Sequence, residues 1–174
     1  MLHAIVREGH LLGENIAMIE VVIPGRPTLY LRHLVLDVNG TLALDGILLP
    51  GVAERLRTLR NALDLHILTA DTHGTQERID QELQVTGKRV TTDSPGAEQK
   101  ADYVRQLGVE GVAAIGNGAN DTLMLREAAL SIAVLGPEGL AGATLREADV
   151  VVARIVDALD LLLFPRRLSA TLRP

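Results

Sequence analysis

In the stretch LRHLVLDVNGT (residues 31–41), a short apolar run leads directly into a polar turn that contains a glycine. The run LRHLVL has the leucine-rich and β-branched composition of a buried strand, and it ends at Asp37. Five further runs of this kind follow, over residues 63–69, 89–92, 112–116, 131–136 and 149–153. Longer amphipathic stretches separate them, so the sequence predicts an α/β fold, a Rossmann-like three-layer sandwich with a mostly parallel central sheet.

Helices are predicted between the strands by apolar residues at helical spacing. The clearest stripes are formed by Val52, Leu56 and Leu59 and by Ile155, Leu159 and Leu162. Further helices are predicted over 73–84, 97–107, 120–129 and 138–147, the last after a Gly-Pro pair that suits a helix start. Upstream of the first core strand, two β runs flank the turn PGRP (24–27), which predicts an N-terminal β-hairpin. Residues 1–17 have a weak pattern of apolar residues. They are either an extra pair of strands or a segment that precedes the true start of translation.

The length of 174 residues suits one compact domain. We divide it into an N-terminal extension and hairpin (1–30), a core (31–165) and a C-terminal tail (166–174). Apolar runs fall well short of the roughly 20 residues that span a bilayer, and residues 1–15 lack the pattern of a secretory signal. We therefore expect a cytoplasmic protein that does not enter a membrane.

Composition narrows the chemistry and the partners. The chain has no cysteine, which removes disulfides and thiol catalysis. A net charge of −5 and 2% aromatic residues argue against nucleic-acid binding. Apolar residues of the hairpin and of 161–164 predict a homo-oligomer, because a lone monomer would leave them partly exposed.

Polar residues follow the predicted strands at the edge of the sheet where open parallel sheets bind ligands. They are Asp37 to Thr41 after the first strand, Thr69-Ala70-Asp71 after the second, Lys100 in the helix after the third and GNGAND (116–121) after the fourth. Taken singly, each has a common structural interpretation as a turn, a cap or a solvated residue. Taken in order, a carboxylate, a hydroxyl, an ammonium and a glycine-rich acidic turn provide what phosphoryl transfer through an acyl phosphate needs.

From Leu31 to about Val152 these residues resemble the four motifs of the haloacid dehalogenase (HAD) superfamily of phosphohydrolases. The resemblance implies that Asp37 is the nucleophile that forms a phosphoaspartate and also binds Mg²⁺. It implies that the backbone carbonyl of Asn39 is a second Mg²⁺ ligand and that Thr69 hydrogen-bonds the phosphoryl group.

The later motifs complete the implied site. Lys100 would steady the charge on the nucleophile and the phosphoryl group. Asp121 would be a direct or water-mediated metal ligand, and Asn117 is a further candidate ligand. The residues that flank these motifs are expected to bind substrate or phosphate: Gly40, Thr41, Ala70, Asp71, Gly118 and Asn120.

Two neutral residues depart from the family pattern. Phosphatases of the superfamily usually carry Asp at the position of Asn39, where it protonates the leaving oxygen, and Asn cannot do so. Asn117 replaces the first Asp of the motif GDGxND, so we expect weaker Mg²⁺ binding. P-type ATPases also have a neutral residue at the position of Asn39, and in this respect the sequence is similar to them. Small soluble P-type ATPase-like proteins are the subgroup that the sequence resembles most.

The spacing of the motifs leaves no room for a cap domain. LALDGILLP (42–50) predicts a short hairpin flap in which Asp45 is a turn residue or faces the site. His66 is predicted to be a hydrogen-bonded core residue. His73 is a candidate substrate contact, and Asp93 is either a helix cap or a supplement to the metal site.

Three functions fit these residues. The first is a Mg²⁺-dependent phosphohydrolase or phosphotransferase that acts on a small phosphorylated substrate and is slow on ordinary phosphomonoesters. The second is autophosphorylation from ATP or an acyl phosphate, as in P-type ATPases. The third is a non-catalytic or regulatory protein that binds phosphate and Mg²⁺.

Overall fold

A computed structural model describes residues 9–11, 14–16, 18–69, 76–83, 88–89 and 96–174. Its centre is a sheet of six strands that all run parallel. These strands are β5 (His33–Asp37), β8 (Asp64–Thr69), β9 (Lys88–Arg89), β10 (Val112–Gly116), β11 (Leu130–Val134) and β12 (Val150–Val152). The remainder of the expected third strand, residues 90–92, lies outside the described residues.

The strand order in the sheet is β12-β11-β10-β5-β8-β9. The chain therefore starts in the middle, fills one side, and then crosses back to fill the other side from β10 onward. This is the doubly wound order of dinucleotide-binding folds, and its direction reverses between β5 and β10. Ligands of such sheets bind at this switch point, beyond the carboxyl ends of the two strands. Here those ends are Asp37 and Gly116.

Helices cover both faces of the sheet, because alternate strand residues point to opposite sides. On one face Leu34 and Leu36 pack into a core with α1 (Val52–Leu59), α2 (Gln76–Leu83) and α6 (Ile155–Leu163). On the other face Val35 packs into a second core with α3 (Gly96–Leu107) and α4 (Thr122–Glu127). The expected three-layer α/β sandwich is confirmed, and every residue of the two clearest predicted stripes is buried.

Among the described residues, three small antiparallel pairs lie outside the main sheet. The predicted N-terminal hairpin is present as β3 (Ile19–Val21) and β4 (Leu29–Leu31), and β1 (Gly9–Leu11) pairs with β2 (Glu14–Ile16) before it. The expected flap is formed by β6 (Ala43–Leu44) and β7 (Ile47–Leu48), with Asp45 exposed at its tip. The flap and α1 are the elements between β5 and β8, so no cap domain is inserted there.

One helix boundary and the expected C-terminal tail need correction. The helix expected over 138–147 begins at Gly142, as α5 (Gly142–Glu147), because Gly136 and Gly139 have positive φ angles of 55° and 89° and hold the preceding residues in a loop. The residues expected to form a tail instead form α7 (Pro165–Leu172), whose buried Leu168 and Leu172 pack toward β3. Within the described residues, no helix is long and apolar enough to cross a membrane.

Docking of α7 can be measured through Leu168, which is fully buried. Leu168→Ala should lower the free energy of unfolding by about 2–5 kcal/mol, the range for removing a buried leucine side chain. Leu145→Ala is the matched control, because Leu145 is 48% exposed, and a surface change of this kind costs about 0.5 kcal/mol or less. Urea unfolding followed by circular dichroism gives both values. Equal stabilities of the two variants would show that α7 does not pack as described.

Candidate active site

The end of β5 positions Asp37 at the switch point of the sheet. Asp37 is buried, with 5% of its surface exposed. The chain turns sharply immediately after it. The backbone N–H groups of Thr41, Leu42 and Ala43 all donate to the carbonyl of Val38, at 3.2, 2.9 and 2.9 Å. This tight turn curls residues 38–43 around the Asp37 carboxylate.

Lys100 joins Asp37 to the fourth motif. It lies in α3, is fully buried, and its Nζ atom is 2.6 Å from Asp37 Oδ1 and 2.6 Å from Asp121 Oδ1. Two carboxylates therefore share one ammonium in a site closed to solvent on that side. The three residues carry one net negative charge if all are ionised.

Burial and the excess of negative charge shift the pKa values of Asp37 and Lys100. Burial, followed by repulsion from Asp121, raises the pKa of Asp37 from 3.8 to about 7, although Lys100 and Thr41 act in the opposite direction. Burial by itself would lower the pKa of Lys100, but attraction to Asp37 and Asp121 outweighs it and the pKa is raised. Lys100 therefore stays charged at neutral pH, while Asp37 is poised to accept or lose a proton.

Asp121 holds the GNGAND turn in place. Its Oδ2 atom accepts hydrogen bonds from the backbone N–H groups of Asn117 and Gly118, both at 2.9 Å, while Oδ1 accepts from Lys100. A Cβ atom on Gly116 would lie 2.6 Å from the Asp121 carboxyl carbon, so this approach requires glycine. Both carboxylate oxygens of Asp121 are thus occupied by protein donors.

Asn117 lies between the turn that follows Asp37 and the loop that follows β11. The Thr41 hydroxyl, which has one proton to donate, lies 3.0 Å from Asn117 Oδ1 and 3.2 Å from Asp37 Oδ2. Asn117 Nδ2 donates to the carbonyl of Gly139 at 3.2 Å. The amide at this position therefore bridges two loops, which a carboxylate could not do because it has no proton to donate to a carbonyl.

These groups open onto a cavity of about 560 Å³ at the carboxyl end of the sheet. Its lining residues are Asp37, Asn39, Asn117, Gly118, Asn120, Glu138, Gly139, Leu140 and Ala141. The loop 136–141 supplies four of them and was not expected to contribute, because those residues were assigned to a helix. Glu138 follows an apolar run, as the residues of the other motifs do, and this signal could have revealed it.

The predicted site residues fall into two groups. Most come together around the cavity: Asp37, Asn39, Gly40, Thr41, Lys100, Asn117, Gly118, Asn120 and Asp121. Thr69 is buried at the end of β8, beside β5, in register one residue beyond the pair Asp37 and Leu68. Ala70 and Asp71 lie outside the described residues, as do His73 and Asp93.

His66 does not belong to the site. Its Nδ1 atom is 2.9 Å from the Tyr103 hydroxyl, and its Nε2 atom is 3.2 Å from His33 Nδ1. Burial, followed by the neighbouring His33, lowers the pKa of His66. It is the hydrogen-bonded residue that was expected, although it is half-buried rather than fully enclosed.

A family comparison agrees with this arrangement. Residues 6–129, more than half of the chain, match the model of the haloacid dehalogenase-like hydrolases. The matched range includes Asp37, Lys100 and Asp121, the three residues that form the buried ion cluster. The chain belongs to the haloacid dehalogenase-like hydrolase family.

Related proteins share the sequence or the fold of this family member. An uncharacterized protein of Methanocaldococcus jannaschii is 53% identical over 62 residues, which are 36% of this chain and 67% of that protein. The 3-deoxy-D-manno-octulosonate 8-phosphate phosphatase of Moraxella catarrhalis, in complex with a magnesium ion, a phosphate ion and a KDO molecule, superposes with a TM-score of 0.58 at 18% identity, covering 82% of this chain and 94% of that one. A phospho-aspartyl intermediate analogue of phosphoserine phosphatase gives a TM-score of 0.59 at 15% identity, covering 76% and 99%. At these identities the structural likeness concerns the fold.

The raised pKa of Asp37 predicts how stability depends on pH. Between the usual carboxyl pKa of 3.8 and about 7, the folded protein holds a proton on Asp37 that the unfolded chain has lost. Because stability falls with rising pH wherever the native state binds more protons, the metal-free protein should lose stability across this window and level off above it. Asp37→Asn should lack this component of the pH dependence.

The measurement is urea unfolding of both proteins in the presence of a chelator, at about pH 5 and about pH 8. Most of the expected change in stability falls between these two pH values. The free energy of unfolding of Asp37→Asn, minus that of the native sequence, should grow toward higher pH. An identical pH dependence of the two proteins would mean that Asp37 ionises at an ordinary pKa.

Proposed function

We propose that this haloacid dehalogenase-like hydrolase captures a phosphoryl group from a small phosphorylated substrate as an aspartyl-phosphate on Asp37. The observation that carries the proposal is the position of the Asp37 carboxylate. It lies at the switch point of the sheet, at the wall of a polar cavity, and is held by a buried ammonium. The fold is shared with a phosphatase whose solved form is a phospho-aspartyl intermediate analogue.

In the proposed reaction an Oδ atom of ionised Asp37 attacks the phosphorus atom. The new O–P bond forms as the bond from phosphorus to the leaving oxygen breaks, and the electron pair departs with that oxygen. Lys100 remains charged throughout and stabilises first the carboxylate and then the phosphoryl oxygens. Asp121 acts through Lys100 and through the turn at Asn117, so we assign it a positioning role.

The donor atoms around the cavity fit Mg²⁺, which prefers oxygen ligands. Within the described residues no group of three His, Cys, Asp or Glu side chains is placed to hold a metal, so backbone and amide oxygens must contribute. We propose that Asp37, the Asn39 carbonyl and Asn117 Oδ1 hold the ion and that Asp121 contacts it indirectly, because Asp121 is fully buried and does not line the cavity. When bound, Mg²⁺ would neutralise charge on the phosphoryl oxygens.

Asn39 determines which step is slow. It lines the cavity next to Asp37 but has no proton to give the leaving oxygen and cannot activate water against the aspartyl-phosphate. Formation of the intermediate from a good leaving group needs no acid, whereas its hydrolysis needs a base. We therefore expect capture to be efficient with acyl phosphates and release to be slow.

Intact-mass spectrometry tests phosphoryl capture directly. Incubation with acetyl phosphate and Mg²⁺ should give one phosphoryl adduct that hydroxylamine removes, because acyl phosphates react with that nucleophile. Asp37→Asn should give none. An adduct that persists in Asp37→Asn, or the absence of any adduct in the native sequence, would rule out Asp37 as the phosphoryl acceptor.

Restoring the missing acid is a second test. Asn39→Asp should raise phosphate release from alkyl phosphomonoesters by about 10²–10⁴-fold, the usual contribution of general acid–base catalysis. Asn61→Asp adds the same charge at an exposed residue and is the control. A release rate that Asn39→Asp leaves unchanged would show that proton transfer at this position does not limit turnover.

The two neutral residues also favour a second candidate function, a regulatory protein that binds phosphate and Mg²⁺ without turnover. Phosphate binding by calorimetry without an adduct from acetyl phosphate would support it. ATP-driven autophosphorylation, as in P-type ATPases, would instead appear as the same adduct after incubation with ATP. The cytoplasmic location and the homo-oligomer stay predictions.

A further inference from the structure

Glu138 places a carboxylate without a partner at the candidate active site. It belongs to the loop 136–141 and lines the same cavity as Asp37. Among the residues that the structure describes, it forms no hydrogen bond or ion pair, and it is exposed. An exposed carboxylate is usually explained by solvation, but this one lines the cavity in which the substrate is proposed to bind.

The position of Glu138 relates it to the leaving group. Gly40 has a φ of 75°, and a Cβ atom on it would lie 2.6 Å from Glu138 Oε2 and 2.5 Å from Asn117 Nδ2. The Glu138 carboxylate therefore lies directly over Gly40, the residue that follows Asn39. Under the proposed function the leaving oxygen lies beside Asn39, so Glu138, which lines the same cavity, is near the place where the rest of the leaving group must fit.

The charge on that side of the cavity is negative. Apart from Asp37 and Glu138, the described lining residues are neutral, and none of them is aromatic. The buried Lys100 is already bound to two carboxylates. A second anionic group on the substrate would thus meet Glu138 with no cation nearby among these residues.

We propose that Glu138 is a specificity residue that selects phosphomonoesters whose leaving group carries a protonated amine. The inference rests on the proposed function, because it requires that the phosphoryl group binds at Asp37. The ammonium group forms a charge-assisted hydrogen bond with the Glu138 carboxylate, whereas a carboxylate or a polyphosphate at the same place is repelled. Glu138 touches neither the phosphorus atom nor the leaving oxygen, so it acts mainly on binding.

Three small esters of similar size form the test: phosphoethanolamine, glycerol 1-phosphate and 3-phosphoglycerate, whose leaving groups are cationic, neutral and anionic. With Mg²⁺ present, kcat/KM from phosphate release should favour phosphoethanolamine over 3-phosphoglycerate by about tenfold, as a partly solvated charge pair gives. Glu138→Gln should remove the preference and Glu138→Lys should reverse it, with the change mainly in KM.

Glu110→Gln is the matched control, because Glu110 is an exposed acid that precedes β10 and so lies at the opposite edge of the sheet. It should keep the preference of the native sequence. If turnover is too slow to rank the esters, their affinities for the Asp37→Asn protein, measured by calorimetry, should follow the same order.

The outcomes separate this inference from the proposed function. Equal use of the three esters, or an order that Glu138→Lys leaves unchanged, would overturn the role of Glu138 while the acetyl phosphate adduct still supports capture at Asp37. If Glu138→Gln weakened Mg²⁺ binding and left the ester order intact, Glu138 would face the metal and the inference would fail. Absence of both the adduct and any ester binding would overturn the two proposals together.

Discussion

The ammonium of Lys100, shared by two buried carboxylates, is the interaction on which the site depends. Asp37 ends β5 and Asp121 ends the turn after β10, so Lys100 ties together the two strands on either side of the switch point. Removing the cation would leave two buried like charges without their shared partner, which costs several kcal/mol in general. Fold and chemistry therefore depend on the same contact.

The cluster does not reach neutrality by itself, and this imbalance is informative. One ammonium faces two carboxylates, and burial, followed by repulsion from Asp121, raises the pKa of Asp37. Such an excess of negative charge is compatible with a site that binds a cation together with a phosphoryl group, because the charge of a bound cation offsets it. Asn117 reduces the imbalance by one charge and uses its amide to connect the loops around the cavity.

Much of the fold and part of the site were predictable from residue patterns. The strands were found because parallel strands buried on both faces are short, continuous apolar runs, and the helices because each has one apolar stripe. Asp37 and Lys100 were found because they follow such runs in the order of a known family. Glu138 was missed because the helix predicted over 138–147 included it, and the spacing of apolar residues does not report the positive φ angles at Gly136 and Gly139 that keep the residues before α5 in a loop. The C-terminal helix was missed because only two leucines, Leu168 and Leu172, form its apolar stripe. A stripe this short does not by itself predict a buried helix, and the structure buries it against β3.

The sequence by itself determined the fold class, the order of the strands along the chain and a set of candidate residues for phosphoryl chemistry. Tertiary structure decided which of them meet. It placed Lys100 between two carboxylates, directed both oxygens of Asp121 to protein donors, and brought Glu138 over Gly40. The physical reason is that local patterns report which side of a strand or helix is buried, whereas distances between charges arise from strand order and from close approaches that glycines permit.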